Sequence, residues 1–320
     1  MQKRISGMSV QREGYERNDM KIINFGSLNI DKVYEVADFV TAQETISAKT
    51  LNIFAGGKGL NQSIAAARAG AEVMHVGAIG SDGDFLLELL KESGADISQI
   101  QKLDEESGHA IIQVTPAGQN CIIIYGGTNQ MLRKEQIDQT LDLSEPQDII
   151  LLQNETNCLG YIMEQAVERR LRIALNPSPI SETLLTLPGD KAEWLLLNEV
   201  EGKILAGMKK NAPVDNEGVL SALHEKYPNV RLVLTVGQDG VLYQDHMCRA
   251  AHPIFRVKTV DTTAAGDTCG GYFLACVSEG RDVSDCLRIA SAAAALAVSR
   301  KGAVPSIPKR NEVAKFLGNF

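Results

Sequence analysis

The stretch Asp261-Thr262-Thr263-Ala264-Ala265-Gly266-Asp267 decides how the rest of the chain is read. It follows an apolar, β-like run, Phe255-Arg256-Val257-Lys258-Thr259-Val260, and precedes a helix-like run over 269–278. Small residues and then Gly-Asp thus stand where an extended segment is expected to hand over to a helix. The first N–H groups of a helix have no intrahelical partner. The helix dipole places partial positive charge beside them, so an anion is favoured there. A carboxylate at the same point can act on a hydroxyl held next to that anion, a combination that suggests phosphoryl transfer to an alcohol. Plain capping is the alternative, because Asp is a strong N-cap residue and Gly before a helix is ordinary turn chemistry.

The 320 residues are 44% hydrophobic, enough for one large α/β domain or two smaller ones. The formal net charge is −8 and no Lys/Arg block interrupts it, which argues against nucleic acid or an anionic membrane as partner. No apolar run approaches the roughly 20 residues of a membrane span. Residues 1–20 are polar and mixed in charge, with no apolar signal core. They are expected to form a flexible extension ahead of a single domain over 21–320. The six cysteines (Cys121, Cys158, Cys248, Cys269, Cys276, Cys286) form no CxxC and have no zinc-finger spacing to a histidine. Reduced thiols and a cytoplasmic location are the expectation.

Residues 22–25 read as a buried strand ending in Gly26-Ser27-Leu28-Asn29-Ile30-Asp31. In an extended chain Asn29 and Asp31, two apart, project from one face. Ala55-Gly56-Gly57-Lys58-Gly59 leads into an Ala-rich helix over 60–69, closed by Gly70. The runs 109–114 and 121–125 carry a β-hairpin signature, and a weaker version covers 33–53. These two regions break the helix–strand rhythm and are expected to form a small separate sheet. Further on, strand-like runs at 149–152, 173–175, 194–197 and 232–236 alternate with helix-like runs at 159–170 and 219–227. Such alternation predicts a parallel sheet covered by helices. Ligands in these sheets sit beyond the carboxyl ends of the strands. Asn29, Asp31, Glu155, Asn176, Asn198 and Thr235 all fall at such ends.

Familiar nucleotide machinery is missing. No G-x-x-x-x-G-K-[ST] occurs. In Gly57-Lys58-Gly59-Leu60-Asn61-Gln62, Gln stands where the dinucleotide fingerprint needs its third Gly. The glycines at 56, 57 and 59 still allow close approach of backbone to a small ligand, with Lys58 and Asn61 as donors beside it. A glycine turn capping a helix is the alternative.

With these motifs the chain resembles the ribokinase-like (PfkB) sugar kinases over nearly its whole length, from about Lys21. Its markers are residues 26–31, Gly-Gly-Lys-Gly-Leu-Asn-Gln (56–62), Leu-Asn-Pro-Ser-Pro (175–179), Asn-Glu-Val-Glu (198–201), the 261–267 motif and Arg-Lys-Gly-Ala-Val-Pro-Ser (300–306). The resemblance implies a three-layer α/β/α, Rossmann-like and mostly parallel sheet. It adds a small β-sheet lid from about 32–54 and 108–126, through which two subunits could pair as a homodimer.

Residue by residue, the resemblance implies that Asp267 is the catalytic base and that the N–H groups of Ala264, Ala265 and Gly266 form an anion hole. Asn29, Asp31, Gly57, Lys58, Asn61 and Glu155 match sugar-binding positions. Asn198 and Glu201 match an N-x-x-E motif tied to Mg²⁺ and phosphate placement, a pattern that alone is more often a capping box. Thr235, Gly237 and Gly240 match the nucleotide-binding strand end. Asp261 and the carbonyls of Thr263, Ala297, Arg300, Gly302 and Ser306 match a monovalent-cation site for K⁺. Residues 40–45 lack the Pro and Gly common after the first strand, Thr268-Cys269-Gly270 replaces a common Thr-Phe-Asn, and Ser291 stands at an adenine-side His or Asn. The implied activity is ATP-dependent phosphorylation of the 5-hydroxyl of D-ribose. Another small sugar or a nucleoside is the alternative substrate, and a non-catalytic sugar sensor on the same fold the alternative class.

Overall fold

The structure, a computed structural model, describes residues 20–209 and 215–319. Apart from Met20, the expected N-terminal extension lies outside the described residues. The first half of the chain runs β1 (Ile22–Phe25), β2 (Asn29–Glu35), β3 (Thr50–Gly56), α1 (Lys58–Ala69), β4 (Val73–Ile79), α2 (Asp84–Ser93), β5 (Asp96–Lys102), β6 (Gly108–Val114), β7 (Asn120–Tyr125), α3 (Lys134–Asp142) and β8 (Ile149–Gln153). The second half runs α4 (Leu159–Glu168), β9 (Arg172–Asn176), α5 (Glu182–Leu185), β10 (Trp194–Asn198), α6 (Glu199–Leu205), α7 (Asn216–Lys226), β11 (Arg231–Thr235), β12 (Val241–Gln244), β13 (Arg249–His252), α8 (Ala265–Ser278), α9 (Val283–Val298) and α10 (Arg310–Leu317).

Nine strands form the main sheet in the order β13-β12-β11-β10-β9-β8-β1-β4-β5. It is parallel from β11 to β5, with β12 and β13 antiparallel at one edge. Every residue of β1, β4 and β8 is buried, as strands covered on both faces must be. Period-two alternation splits their side chains between two cores. Ile22, Val73, Leu151 and Leu196 pack toward α1, α8 and α9. Ile23, Val76, Leu152 and Leu197 pack toward α3, α4 and α7. The three-layer α/β/α class is therefore the observed one. From β1 the chain steps out to β4 and β5, then returns to β8 and continues the other way, so the strand order reverses between β1 and β8. A crevice opens at the carboxyl ends of strands at such a point.

The separate small sheet has the order β3-β2-β6-β7. Asp31 pairs with Phe54 and Ala110, so these side chains share one face, and Lys32, Ile53, Ile111 and Ile123 share the other. Among the described residues no helix is long and apolar enough to cross a membrane.

One sequence reading needs correction. The run 255–260 forms no strand. It has no ladder partner, and the N–H groups of Val260 and Asp261 both donate to Val298 O, at 2.8 and 3.2 Å. The α8 helix also begins at Ala265, four residues earlier than its apolar pattern suggested, because Ala264 takes a left-handed conformation (φ 58°) as N-cap. The junction is thus loop to helix, and α9 rather than the sheet anchors its incoming arm.

Candidate active site

Asp267 lies in the first turn of α8 and makes no capping bond. Its Oδ2 accepts from Asn61 Nδ2 at 3.0 Å and its Oδ1 from Gln62 Nε2 at 2.9 Å. Both amides come from α1, which packs closely on α8. A Cβ at Gly271 would meet Ala65 Cβ at 2.6 Å, so glycine there lets the two helices approach. The capping alternative for Asp267 is thereby set aside. Its carboxylate is held by side chains from another helix, at the mouth of a cavity.

That cavity, about 210 Å³, is lined by Lys58, Asn198, Glu201, Thr235, Asp267 and the backbone of 264–266, with Leu196, Val233, Cys269 and Gly270 among its other walls. The first turn of α8 directs orphan amides toward it, although Ala265 N–H already reaches Thr262 O at 3.2 Å. A Cβ on Gly266 would meet nothing within 4 Å, so this backbone is open to a ligand. Left-handed geometry at the non-glycine Ala264 is a strained conformation of the kind that gathers at functional loops. Asn198 and Glu201 form the capping box that their spacing suggested. Glu201 N donates to Asn198 Oδ1 and Asn198 N to Glu201 Oε2, both at 2.9 Å. They nevertheless border the cavity, and one Glu201 oxygen is free of the box. Burial works against the Lys58 ammonium, but the charges of Asp267, Glu155 and Glu201 outweigh it and raise its pKa. The cavity therefore holds a permanent cation.

On the other side of Lys58 and Asp267 sit the remaining carboxylates. Glu155 Oε2 accepts from Ser27 Oγ and from Lys58 N–H, the latter at 2.9 Å. Asp31 projects from β2 against Gly56, where a Cβ would stand 2.2 Å from its Oδ2. Burial, and then the charge of Glu155, push the Asp31 carboxyl up to about 7. Gly57 has φ +98°, and a Cβ there would crowd the Ser27 and Asn29 backbone at about 3 Å. Asn61 Oδ1 is buried without a protein partner, an acceptor aimed at a ligand. Asn29, Asp31, Gly57, Lys58, Asn61, Glu155 and Asp267 are thus neighbours, gathered at the β1/β8 reversal.

The more distant expectations divide. Thr235 borders the cavity and its Oγ1 donates to Leu197 O at 3.2 Å. Gly237 and Gly240 do not border it. They make the turn into β12, where a Cβ on Gly240 would lie 2.1 Å from His252 O. Asp261 accepts three protein donors: Oδ1 takes Thr263 N–H and Oγ1 at 2.9 and 2.7 Å, and Oδ2 takes Gly302 N–H at 2.9 Å. These bonds hold the pKa of Asp261 below the usual carboxylate range against burial, and they tie the anion loop to the 300–306 segment. Ala297 O already accepts from Arg300 N–H at 3.0 Å, and Ser306 Oγ donates to Ala303 O at 2.7 Å. Asp261, Thr263 and Gly302 are brought together, the Ala297 carbonyl accepts from Arg300, and the Ser306 hydroxyl bond does not involve the Ser306 carbonyl.

Four residues of the site escaped the sequence reading. Ser27 bridges Glu155 and Gly59 N–H. Asn129 donates to Asn29 Oδ1 at 2.7 Å, which fixes the sense of the Asn29 amide. Gln62 binds Asp267, and Gln153 binds Gln62. Ser27 and Gln62 carried a signal, as members of the 26–31 and 56–62 motifs.

Known proteins resemble this chain over nearly its whole length. A family described as pfkB family carbohydrate kinase matches residues 19–310. A ribokinase of Haemophilus influenzae is 33% identical over 300 residues, spanning 91% of this chain and 96% of that protein. A deoxyribokinase of Salmonella typhi is 29% identical over 303 residues, 93% of this chain and 99% of that protein. The structure of Arabidopsis thaliana ribokinase complexed with ribose and ATP superposes with a TM-score of 0.81 at 30% identity, covering 93% of this chain and 98% of that one.

Proposed function

This chain belongs to the pfkB family of carbohydrate kinases, and from that premise we propose that it transfers the γ-phosphoryl group of ATP to the 5-hydroxyl of D-ribose. The observation that carries the reading is Asp267. Its carboxylate is fixed between a cavity edged by α8 amides and Lys58 and a cluster of sugar-type ligands, Asn29, Asp31, Asn61 and Glu155. Asp31 and Glu155 accept from sugar hydroxyls, while Asn29 and Asn61 offer amides able to donate and accept. Asp267 takes the proton of the attacking hydroxyl as that oxygen bonds to the γ-phosphorus and the β–γ bridge bond breaks, releasing ADP. Lys58 and the amides of 264–266 stabilise the charge on the transferring group.

Among the described residues no group of three or more His, Cys, Asp or Glu converges on a metal position. A Mg²⁺ would therefore be held mainly by the nucleotide phosphates, with the free oxygen of Glu201 and with Asn198 nearby, and it would supply further charge neutralisation. A K⁺ would be held beside Asp261, Thr263 and Gly302, and it would stiffen the anion loop. The small sheet acts as the lid, placing Asp31 over the sugar and keeping water from the phosphate. Its outer face exposes Leu51, Ile53 and Ile123, an apolar patch suited to a second copy in a homodimer. A cytoplasmic enzyme with free thiols is in keeping with the six unpaired cysteines.

Turnover of ribose, 2-deoxyribose, fructose and adenosine with ATP tests the reading. Ribose is expected to give the highest kcat/KM. The Salmonella typhi relative makes 2-deoxyribose the second candidate, and preferred turnover of fructose or adenosine would overturn the assignment.

A further inference from the structure

Beneath Asp267 lies a run of polar side chains in an otherwise aliphatic layer. Asn24 on β1, His75 on β4, Gln153 on β8, and Gln62 and Ser63 on α1 are each at most 1% exposed. Burying five polar side chains is unfavourable unless they find partners, and here, apart from Gln153 Oε1, which is buried without one, the partners form one directed chain. Gly26 O can only accept, so His75 Nε2 carries the proton of that 3.1 Å contact. Burial pushes His75 down to about 4, so the ring is neutral and Nδ1 is a bare acceptor. Ser63 Oγ donates to it at 2.8 Å and therefore accepts from Asn24 Nδ2, also at 2.8 Å. Gly59 O, a second acceptor-only group, fixes the same Asn24 nitrogen at 2.8 Å. Asn24 Oδ1 must then face Gln153, whose Nε2 donates to it at 3.0 Å and to Gln62 Oε1 at 2.8 Å. With its oxygen so occupied, Gln62 can present only Nε2 to Asp267.

We propose that Gln62, its amide locked by the Gln153–Asn24–Ser63–His75 chain, is a positioning residue that aims the Asp267 carboxylate at the reacting hydroxyl. The inference rests on Asp267 being the base. A flipped Gln62 would set two amide nitrogens against each other and an oxygen against a carboxylate, so the backbone carbonyls of Gly26 and Gly59 fix the sense of the donor at the base. Asn61 holds the other carboxylate oxygen from the ligand side, and Gln62 holds its partner from the core side. A carboxylate freed from one anchor can rotate, and general-base catalysis depends on hydrogen-bond geometry to the proton it takes. Substrate contacts are untouched, so the loss belongs in kcat rather than in KM.

The test compares Gln62→Met, Gln153→Met, the double variant and Asp267→Asn in the full chain, with ribose binding followed by calorimetry and turnover with ATP. Removing one charge-assisted bond is expected to lower kcat of Gln62→Met about tenfold or more, with ribose Kd and ATP KM within about threefold of wild type. Gln153→Met should lose less, and the double variant should lose no more kcat than Gln62→Met alone. Should Gln62→Met fail to fold, Gln62→Asn keeps the amide but falls one methylene short of Asp267 and carries the same expectation. A kcat within about twofold of wild type in the Gln62 variant, ribose affinity lost in parallel with kcat, or kcat losses that multiply in the double variant would each overturn the proposal. Wild-type-like turnover by Asp267→Asn would instead remove the base itself.

Discussion

Asp31→Asn should stabilise the empty protein and weaken its grip on sugar. Asp31 lies against Gly56, whose missing side chain leaves it room, and faces the charge of Glu155. Burial first and Glu155 second raise its carboxyl from 3.8 to about 7. One pKa unit is about 1.4 kcal/mol, so ionised Asp31 burdens the unliganded fold by at most about 4 kcal/mol above neutral pH. The side chain is only half-buried, and solvent access reduces the expected gain on removing the charge to about 1–2 kcal/mol. The unfolded chain releases this proton near 3.8 and the folded chain near 7. The folded state thus binds more protons between those values, and this group's contribution to stability falls as pH rises across that window. Urea denaturation of wild type and variant at about pH 5 and about pH 8 reads the difference, which should be larger at the higher pH. Ribose affinity, by calorimetry, should fall about tenfold to a hundredfold, because a charged acceptor is replaced by a half-acceptor. A variant no more stable than wild type at the higher pH, or a stability difference equal at both, would refute the reasoning.

Other outcomes follow from the same geometry. Ala264→Gly suits the left-handed N-cap and should keep full turnover, whereas β-branched Ala264→Val should lower kcat more than tenfold and Tm by about 5 °C, read by kinetics and calorimetry. Replacing K⁺ by Na⁺ should lower kcat severalfold in a steady-state assay, and unchanged activity would remove the inferred monovalent cation. Ile123→Glu puts a charge on the outer face of the small sheet and should convert a dimer to monomer in sedimentation runs. A dimer that survives the change would place the contact elsewhere.

How much the sequence revealed depended on locality. Asp267, Asn61, Lys58 and Asp31 sit in short motifs whose glycines and spacing expose them. The parallel sheet covered by helices likewise follows from the alternation of apolar runs, whereas the β1/β8 reversal in its strand order does not. The buried chain under Asp267 was hidden because it joins residues far apart in sequence: Gln153 to Asn24 spans 129 positions and Gln62 to Asp267 spans 205. Each looks like an isolated polar residue in an apolar segment, and only the parallel pairing of β4, β1 and β8 lines them up on the α1 face. Asn129 was hidden for the same reason, reaching Asn29 across 100 positions from a loop. The run 255–260 misled in the opposite direction. Its alternation suits a strand, but β13 ends the sheet at His252 and no further strand beyond it offers a ladder.

The central claim is that Asp267 takes the proton of a ribose hydroxyl during transfer from ATP. Ribose-dependent ADP formation by Asp267→Asn, measured beside wild type with ribose binding followed by calorimetry, tests it most directly. The amide keeps the shape but cannot accept the proton, so kcat should fall about a hundredfold to ten-thousandfold while ribose still binds. Turnover within about tenfold of wild type would contradict the assignment of the base.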